Sequence, residues 1–370
     1  MSARFLTAVL ERDFNMRDGF GREIDYMRIS VIDSCNLNCY YCNPCDNNEH
    51  CHALNILSVK EVLCIVRAAT RLGIKHFRLT GGEPLLHPQL DEMVLQIKKI
   101  PGVSSVSLTT NAVLLVQHAK WLKEAGIDSI NVSLDTIDAS EYERITKKPL
   151  LEEVKNGINA AIECGIRVKI NVVLTPQTDV VALTRYVAKK GTDIRFIEMM
   201  PVGEGHTNGV EPYKKVIGTL SKLYGEPCRI NTEKTKEINS GNDKRKIPDN
   251  GPAEYYIFPE LGIRVGLIQA IHGKFCDTCN RIRVTADGRL MPCLGSSVTM
   301  DLVPDSWDFA DDVEKDFAIV RALRAAIKAK PRCHNFNDNA VTYTKTTETK
   351  TTEIEAAEVN AARNMSRIGG

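Results

Sequence analysis

Residues 27–44 read MRISVIDSCNLNCYYCNP. The run 27–32 is mostly apolar and β-branched, the composition of a buried strand. It leads directly into Cys35-x3-Cys39-x2-Cys42. Three thiols on so short a loop read as metal ligands or redox thiols, since disulfides are rare in reducing cytosol. They are one short of the four cysteines that an ordinary iron–sulfur cube takes. One iron is then left open to a small molecule. A second triplet, Cys276-x2-Cys279-x13-Cys293, lies near the other end and points to a second cluster of the same kind.

Outward from this stretch the chain alternates strand and helix. Apolar runs at 27–32, 76–79, 106–108, 129–134, 168–174 and 194–199 predict strands. Amphipathic stretches at 58–72, 88–100, 116–125, 151–164 and 180–190 predict helices. Ser58 and Glu61 fit a capping box, and Gly73 follows as a stop. Alternating βα units imply a parallel sheet with helices outside. Six units are too few for a closed eight-stranded barrel. The expected fold class is therefore α/β: a partial (β/α)6 TIM-type barrel with a smaller C-terminal α+β domain. The expected organisation is an extension at 1–26, the barrel at 27–230, the second-triplet domain at 231–336, and a mobile Thr/Lys/Glu-rich segment with a Gly-Gly tail at 337–370.

Ligands bind at the carboxyl ends of parallel strands, and the polar motifs fall there. Cys35 follows the first strand and Thr80-Gly81-Gly82-Glu83-Pro84 the second. Thr109, Thr110 and Asn111 follow the third, Ser133 and Asp135 close the fourth, Lys169 lies on the fifth, and Met200 follows the sixth. Each motif alone has an ordinary structural explanation; their collection on one rim is the signal. Arg28 and Arg78 occupy strand positions that face the barrel interior, where a cation without an anion is costly. The 370 residues carry 48 basic and 47 acidic side chains and 12 cysteines. A net charge of +1 gives no electrostatic case for a nucleic-acid or membrane partner. Neither a signal peptide nor a membrane-spanning run is present, so a cytoplasmic protein is expected.

The first triplet, with Tyr41 before its last cysteine and Gly81-Gly82-Glu83 downstream, resembles the radical S-adenosylmethionine (radical SAM) superfamily. Residues 275–283 (FCDTCNRIR), the run ending at Cys293, Gly19-Phe20-Gly21-Arg22, the segment 330–334 (KPRCH) and the terminal Gly369-Gly370 resemble the MoaA family, the GTP 3',8-cyclases of molybdenum cofactor biosynthesis. Asn111-Ala112 stands where that family has Asn-Gly. The resemblance implies two 4Fe–4S clusters, on Cys35, Cys39 and Cys42 and on Cys276, Cys279 and Cys293. It implies SAM contacts at Tyr41, Gly82, Ser133 and Met200, and GTP contacts at Arg28, Arg78, Thr109, Lys169, Arg281, Ile282 and Arg283. The cysteines of the first triplet, Arg281, Arg283, Gly369 and Gly370 would be catalytic. A ferredoxin- or flavodoxin-type reductant, hand-over of product to a cyclic pyranopterin monophosphate synthase, and a monomer or homodimer are further implications.

Three other readings stay open at the level of sequence. A zinc site needs a fourth Cys or His, which Cys45 or Cys51 could supply. A non-catalytic iron–sulfur electron carrier explains the cysteines but neither the Gly-Gly-Glu nor the arginines. A peptide-modifying radical SAM enzyme predicts more cysteines after Cys293, where Cys333 is the one that follows.

Overall fold

The computed structural model describes residues 16–42, 55–202, 209–230, 251–296, 298–302, 312–334 and 336. The six predicted strands form as β1 (Tyr26–Ser30), β2 (His76–Thr80), β3 (Ser105–Thr110), β4 (Ser129–Ser133), β5 (Val168–Leu174) and β6 (Asp193–Glu198). Between them lie α1 (Val59–Arg71), α2 (Leu90–Lys98), α3 (Leu115–Glu124), α4 (Ala139–Thr146), α5 (Leu151–Glu163) and α6 (Val180–Lys189). The capping box at α1 is complete. Ser58 Oγ accepts from the Glu61 amide at 3.3 Å, and Glu61 Oε2 accepts from the Ser58 amide at 2.7 Å. Gly73 leaves the helix with a positive φ of 85°, a conformation that glycine adopts without a Cβ clash.

The C-terminal third adds α7 (Gly218–Tyr224), β7 (Cys228–Arg229), β8 (Glu254–Ile257), β9 (Arg264–Ile268), β10 (Arg281–Val284), β11 (Arg289–Met291), β12 (Met300–Asp301) and α8 (Asp312–Lys328). Its strands join the barrel sheet. The order is β12-β11-β10-β1-β2-β3-β4-β5-β6-β9-β8-β7. β10 pairs parallel with β1, and β9 pairs parallel with β6. The parallel core thus has two strands more than the six predicted, and the smaller C-terminal unit is continuous with it at both edges. The physical reason is that β1 and β6 would otherwise expose unpaired backbone groups. The outermost strands β12 and β7 do not pair with each other, so the barrel stays open.

Helix α8 was not anticipated. Ile319, Leu323 and Ile327 recur at helical spacing and have no exposed surface, each burial contributing about 1.5–3 kcal/mol. The helix packs on α1, and Arg71 Nη2 meets Asp316 Oδ2 at 2.8 Å. Phe77, Phe196 and Phe258 are the largest fully buried side chains of the core.

Candidate active site

The strand pleat sends alternate side chains into the barrel. They line a cavity of about 320 Å³ onto which both cysteine triplets open. The first triplet hangs on the loop after β1. The amides of Asn38 and Tyr40, on either side of Cys39, donate to Thr146 O (3.0 Å) and Ile145 O (3.1 Å) at the end of α4. The end of β2 presses on the same loop: Gly82 N donates to Ile32 O at 2.8 Å and Glu83 N to Ser34 O at 2.7 Å. A Cβ at Gly82 would stand 2.2 Å from Ser34 O, and one at Gly81 2.3 Å from Ile32 O. The two glycines are thus required by backbone approach.

Glu83 is fully buried and ties the ends of β2 and β3 together. It accepts from Thr110 Oγ1 at 2.6 Å, Asn111 N at 2.7 Å and Leu85 N at 3.0 Å. Burial nevertheless pushes its carboxyl up to about 7. Tyr41 donates its hydroxyl to Asp135, which also accepts from Val173 N at 2.7 Å. Burial raises Asp135 to about 6. Burial, then the Glu83 charge, lifts the Cys35 thiol to about 11; burial, then Cys35, lifts Cys42 to about 12. Cys39 is raised further, by burial and by Cys42. A bound cationic metal core would reverse these shifts.

At the second triplet the shifts divide: burial raises the Cys293 thiol despite the Lys330 charge. Burial opposes ionisation of Cys279, yet Arg281 and then Lys330 bring it down to about 7. The three thiols of either set reach one cavity. Among the described residues, however, no three His, Cys, Asp or Glu side chains converge tightly enough for a single ion. Cys45 and Cys51, from which a zinc site would draw its fourth ligand, lie outside the described residues; a multi-iron cluster takes one thiol per iron, which each triplet can supply. The donor set therefore fits such clusters.

Three arginines lie in register across adjacent strands: Arg283 on β10 opposite Arg28 on β1, and Arg28 opposite Arg78 on β2. Burial and the neighbouring Arg283 hold Arg28 well below the usual arginine range, and burial and Arg281 bring Arg283 to about 10. Arg78 donates to Tyr26 Oη, to Leu108 O at 3.3 Å and to Thr109 Oγ1 at 3.4 Å. Arg281 lies 5.0 Å from the Phe275 ring centroid, and its buried Nε has no hydrogen-bond partner. So dense a cationic stripe suits a polyanion.

Of the predicted SAM contacts, Tyr41, Gly82, Ser133 and Met200 all line the cavity. Of the predicted GTP contacts, Arg28, Arg78, Thr109, Arg281 and Arg283 do so. Lys169 does not: it is 8% exposed, with Nζ 6.0 Å from the Tyr255 ring centroid. Ile282 is wholly buried in the apolar core, because strand alternation turns it away from the face of Arg281 and Arg283. Gly369 and Gly370 lie outside the described residues. The sequence reading missed Arg195, whose Nε donates to Asn171 Oδ1 at 2.9 Å inside the cavity. Its alternate position on β6, flanked by Asp193 and Ile197, was the available signal. Lys330 was missed as a cavity-lining residue as well.

Comparison with known proteins agrees with this geometry. Residues 29–182 match the radical SAM superfamily and residues 192–336 match Molybdenum Cofactor Synthesis C. A GTP 3',8-cyclase of Clostridium perfringens is 35% identical over 324 residues, covering 87% of this chain and 95% of that protein. One from Pelotomaculum thermopropionicum is 36% identical over 327 residues, covering 86% and 95%. The crystal structure of Streptococcus suis SuiB bound to S-adenosylmethionine shares the fold, with a TM-score of 0.51 at 16% identity over 86% of this chain and 69% of that one. The chain belongs to the radical SAM superfamily and, within it, to the GTP 3',8-cyclase family.

Proposed function

We propose that this chain is a radical SAM GTP 3',8-cyclase, converting GTP to (8S)-3',8-cyclo-7,8-dihydroguanosine 5'-triphosphate in the first step of molybdenum cofactor biosynthesis. One observation carries the reading: two thiol triplets and a ladder of arginines face a single cavity. Cys35, Cys39 and Cys42 would hold one 4Fe–4S cluster, and Cys276, Cys279 and Cys293 the other. When bound, the first cluster with SAM supplies one-electron cleavage of the sulfonium and hence a 5'-deoxyadenosyl radical.

The chain's own residues do the rest. Tyr41, Gly82, Ser133 and Met200, which line the cavity, would contact SAM, and Gly81 and Gly82 bring the end of β2 against the thiol loop that would hold its cluster. Arg28, Arg78 and Arg283, with Arg195 across the cavity, neutralise the triphosphate through charge-assisted hydrogen bonds. This fixes the ribose between the two triplets, and holding two reactants in place removes much of the entropic barrier. Arg281 and the second triplet face the base. A cytoplasmic setting, a ferredoxin- or flavodoxin-type reductant and hand-over to a cyclic pyranopterin monophosphate synthase belong to the same proposal. Among the described residues no helix is long and apolar enough to cross a membrane.

The test is anaerobic turnover with SAM and GTP deuterated at C3'. Deuterium in the 5'-deoxyadenosine is the expected result. Unlabelled 5'-deoxyadenosine from cluster-loaded protein would reject hydrogen removal from C3'.

A further inference from the structure

Two stretches that the proposed reaction leaves unused, 18–22 (DGFGR) and 330–334 (KPRCH), meet beside the second triplet. Arg22 is buried and paired with Asp18. Its Nη1 donates to Cys276 O at 2.6 Å and to Arg332 O at 3.0 Å, and its Nη2 to Pro331 O at 2.6 Å. One guanidinium thereby fixes the turn after Lys330 to the first cysteine of the triplet.

Lys330 is 2% exposed. Its Nζ donates to Arg281 O at 2.8 Å and to Pro292 O at 2.9 Å. Arg281 follows Cys279 by two residues, and Pro292 directly precedes Cys293. The ammonium therefore bridges the two segments that carry those thiols. Both of these acceptors are neutral carbonyls, and among the described residues its ammonium forms no ion pair with a carboxylate. A buried ammonium with no anion beside it is costly. The anions beside the carbonyls that it bridges are the thiolates of Cys279 and Cys293, which line the same cavity as Lys330. The first triplet has carboxyl groups instead: Asn111, whose amide donates to Glu83, reaches Cys35 Sγ with its side chain at 3.8 Å, and Tyr41, next to Cys42, donates to Asp135.

Two identical ligand sets, one beside an ammonium and the other beside carboxyl groups, have different affinities for an electron. Reduction adds negative charge to a cluster, so nearby positive charge and hydrogen bonds to its sulfurs raise its potential. We propose that Lys330 is a positioning residue, locked by Arg22, that holds its ammonium against the Cys279 and Cys293 thiolates and makes the second cluster easier to reduce than the first. This inference rests on the reading that the second triplet carries a cluster.

The test uses the full chain, reconstituted anaerobically, as wild type, Lys330→Met and Lys330→Arg. Iron and sulfide per chain are counted, and each cluster's midpoint potential is read by spectroscopically monitored redox titration. Wild type is expected to load two clusters, the second with the higher potential. Lys330→Met is expected to keep its iron and shift the second midpoint alone to a more negative value, and Lys330→Arg to recover most of the shift. Wild-type midpoints in Lys330→Met, or a raised KM for GTP as the sole change, overturn the proposal in favour of a substrate ligand. If Lys330→Met loses iron, Lys330→Arg decides: reloading at the wild-type midpoint supports the proposal and failure to reload rejects it. A wild type that loads one cluster refutes the two-cluster reading itself, before any variant is compared.

Discussion

Arg22 shows how much a single buried side chain organises. Its side chain is 7% exposed, and the Asp18 side chain that it pairs with has no exposed surface. The Asp18 carboxylate also accepts from the amides of Phe20 (2.9 Å) and Arg22 (3.0 Å), which closes the turn. Removal of one partner from a buried ion pair leaves an uncompensated charge and costs about 3–5 kcal/mol. Arg22→Ala is expected to lose that much in equilibrium urea unfolding. A loss under about 1 kcal/mol would mean that solvent replaces the guanidinium, since a net hydrogen bond contributes about that amount. The sequence showed Arg22 as part of a motif but not its acceptors, which come from residues 276, 331 and 332. The two cysteine triplets were legible because their spacing is local. Arg28 and Arg78 were legible because strand alternation fixes their face.

At the scale of elements, helices with local end signals were the readable ones. The α1 capping box contributes about 1 kcal/mol, so Ser58→Ala is expected to lower unfolding stability by that amount. An unchanged urea midpoint would show that the helix end frays without cost. Helix α4 escaped notice despite an N-cap signal, Asp138 Oδ1 accepting from the Glu141 amide at 2.8 Å. Helices this short are marginal by themselves. This one persists because Tyr142, Ile145 and Thr146 are buried and its last carbonyls anchor the thiol loop. Ala112, on the turn after β3, holds a left-handed backbone at φ 64°. Gly157 on α5 sits close beneath it, where a Cβ would come within 2.3 Å of Ala112 O. Close helix packing holds a conformation that alanine disfavours on its own.

At the scale of the whole molecule, the sheet is built from both ends of the chain. β10 and β9 cover the edges that β1 and β6 would leave open. A chain ending at residue 250 would expose those edges and remove the second triplet. It is expected to elute as aggregate in size-exclusion chromatography; a monodisperse, folded monomer would show that the covering strands are dispensable. The βα alternation, the thiol triplets and the inward arginines were determined by the sequence itself, because strand period, helix caps and ligand spacing are local properties. The tertiary structure decided which edges β9 and β10 join, that Ile282 faces the core, that Arg195 enters the cavity, and that Lys330 lies between two thiol-bearing segments. Those facts depend on pairing partners far apart in the chain, and a local pattern states a side chain's face but not its neighbour.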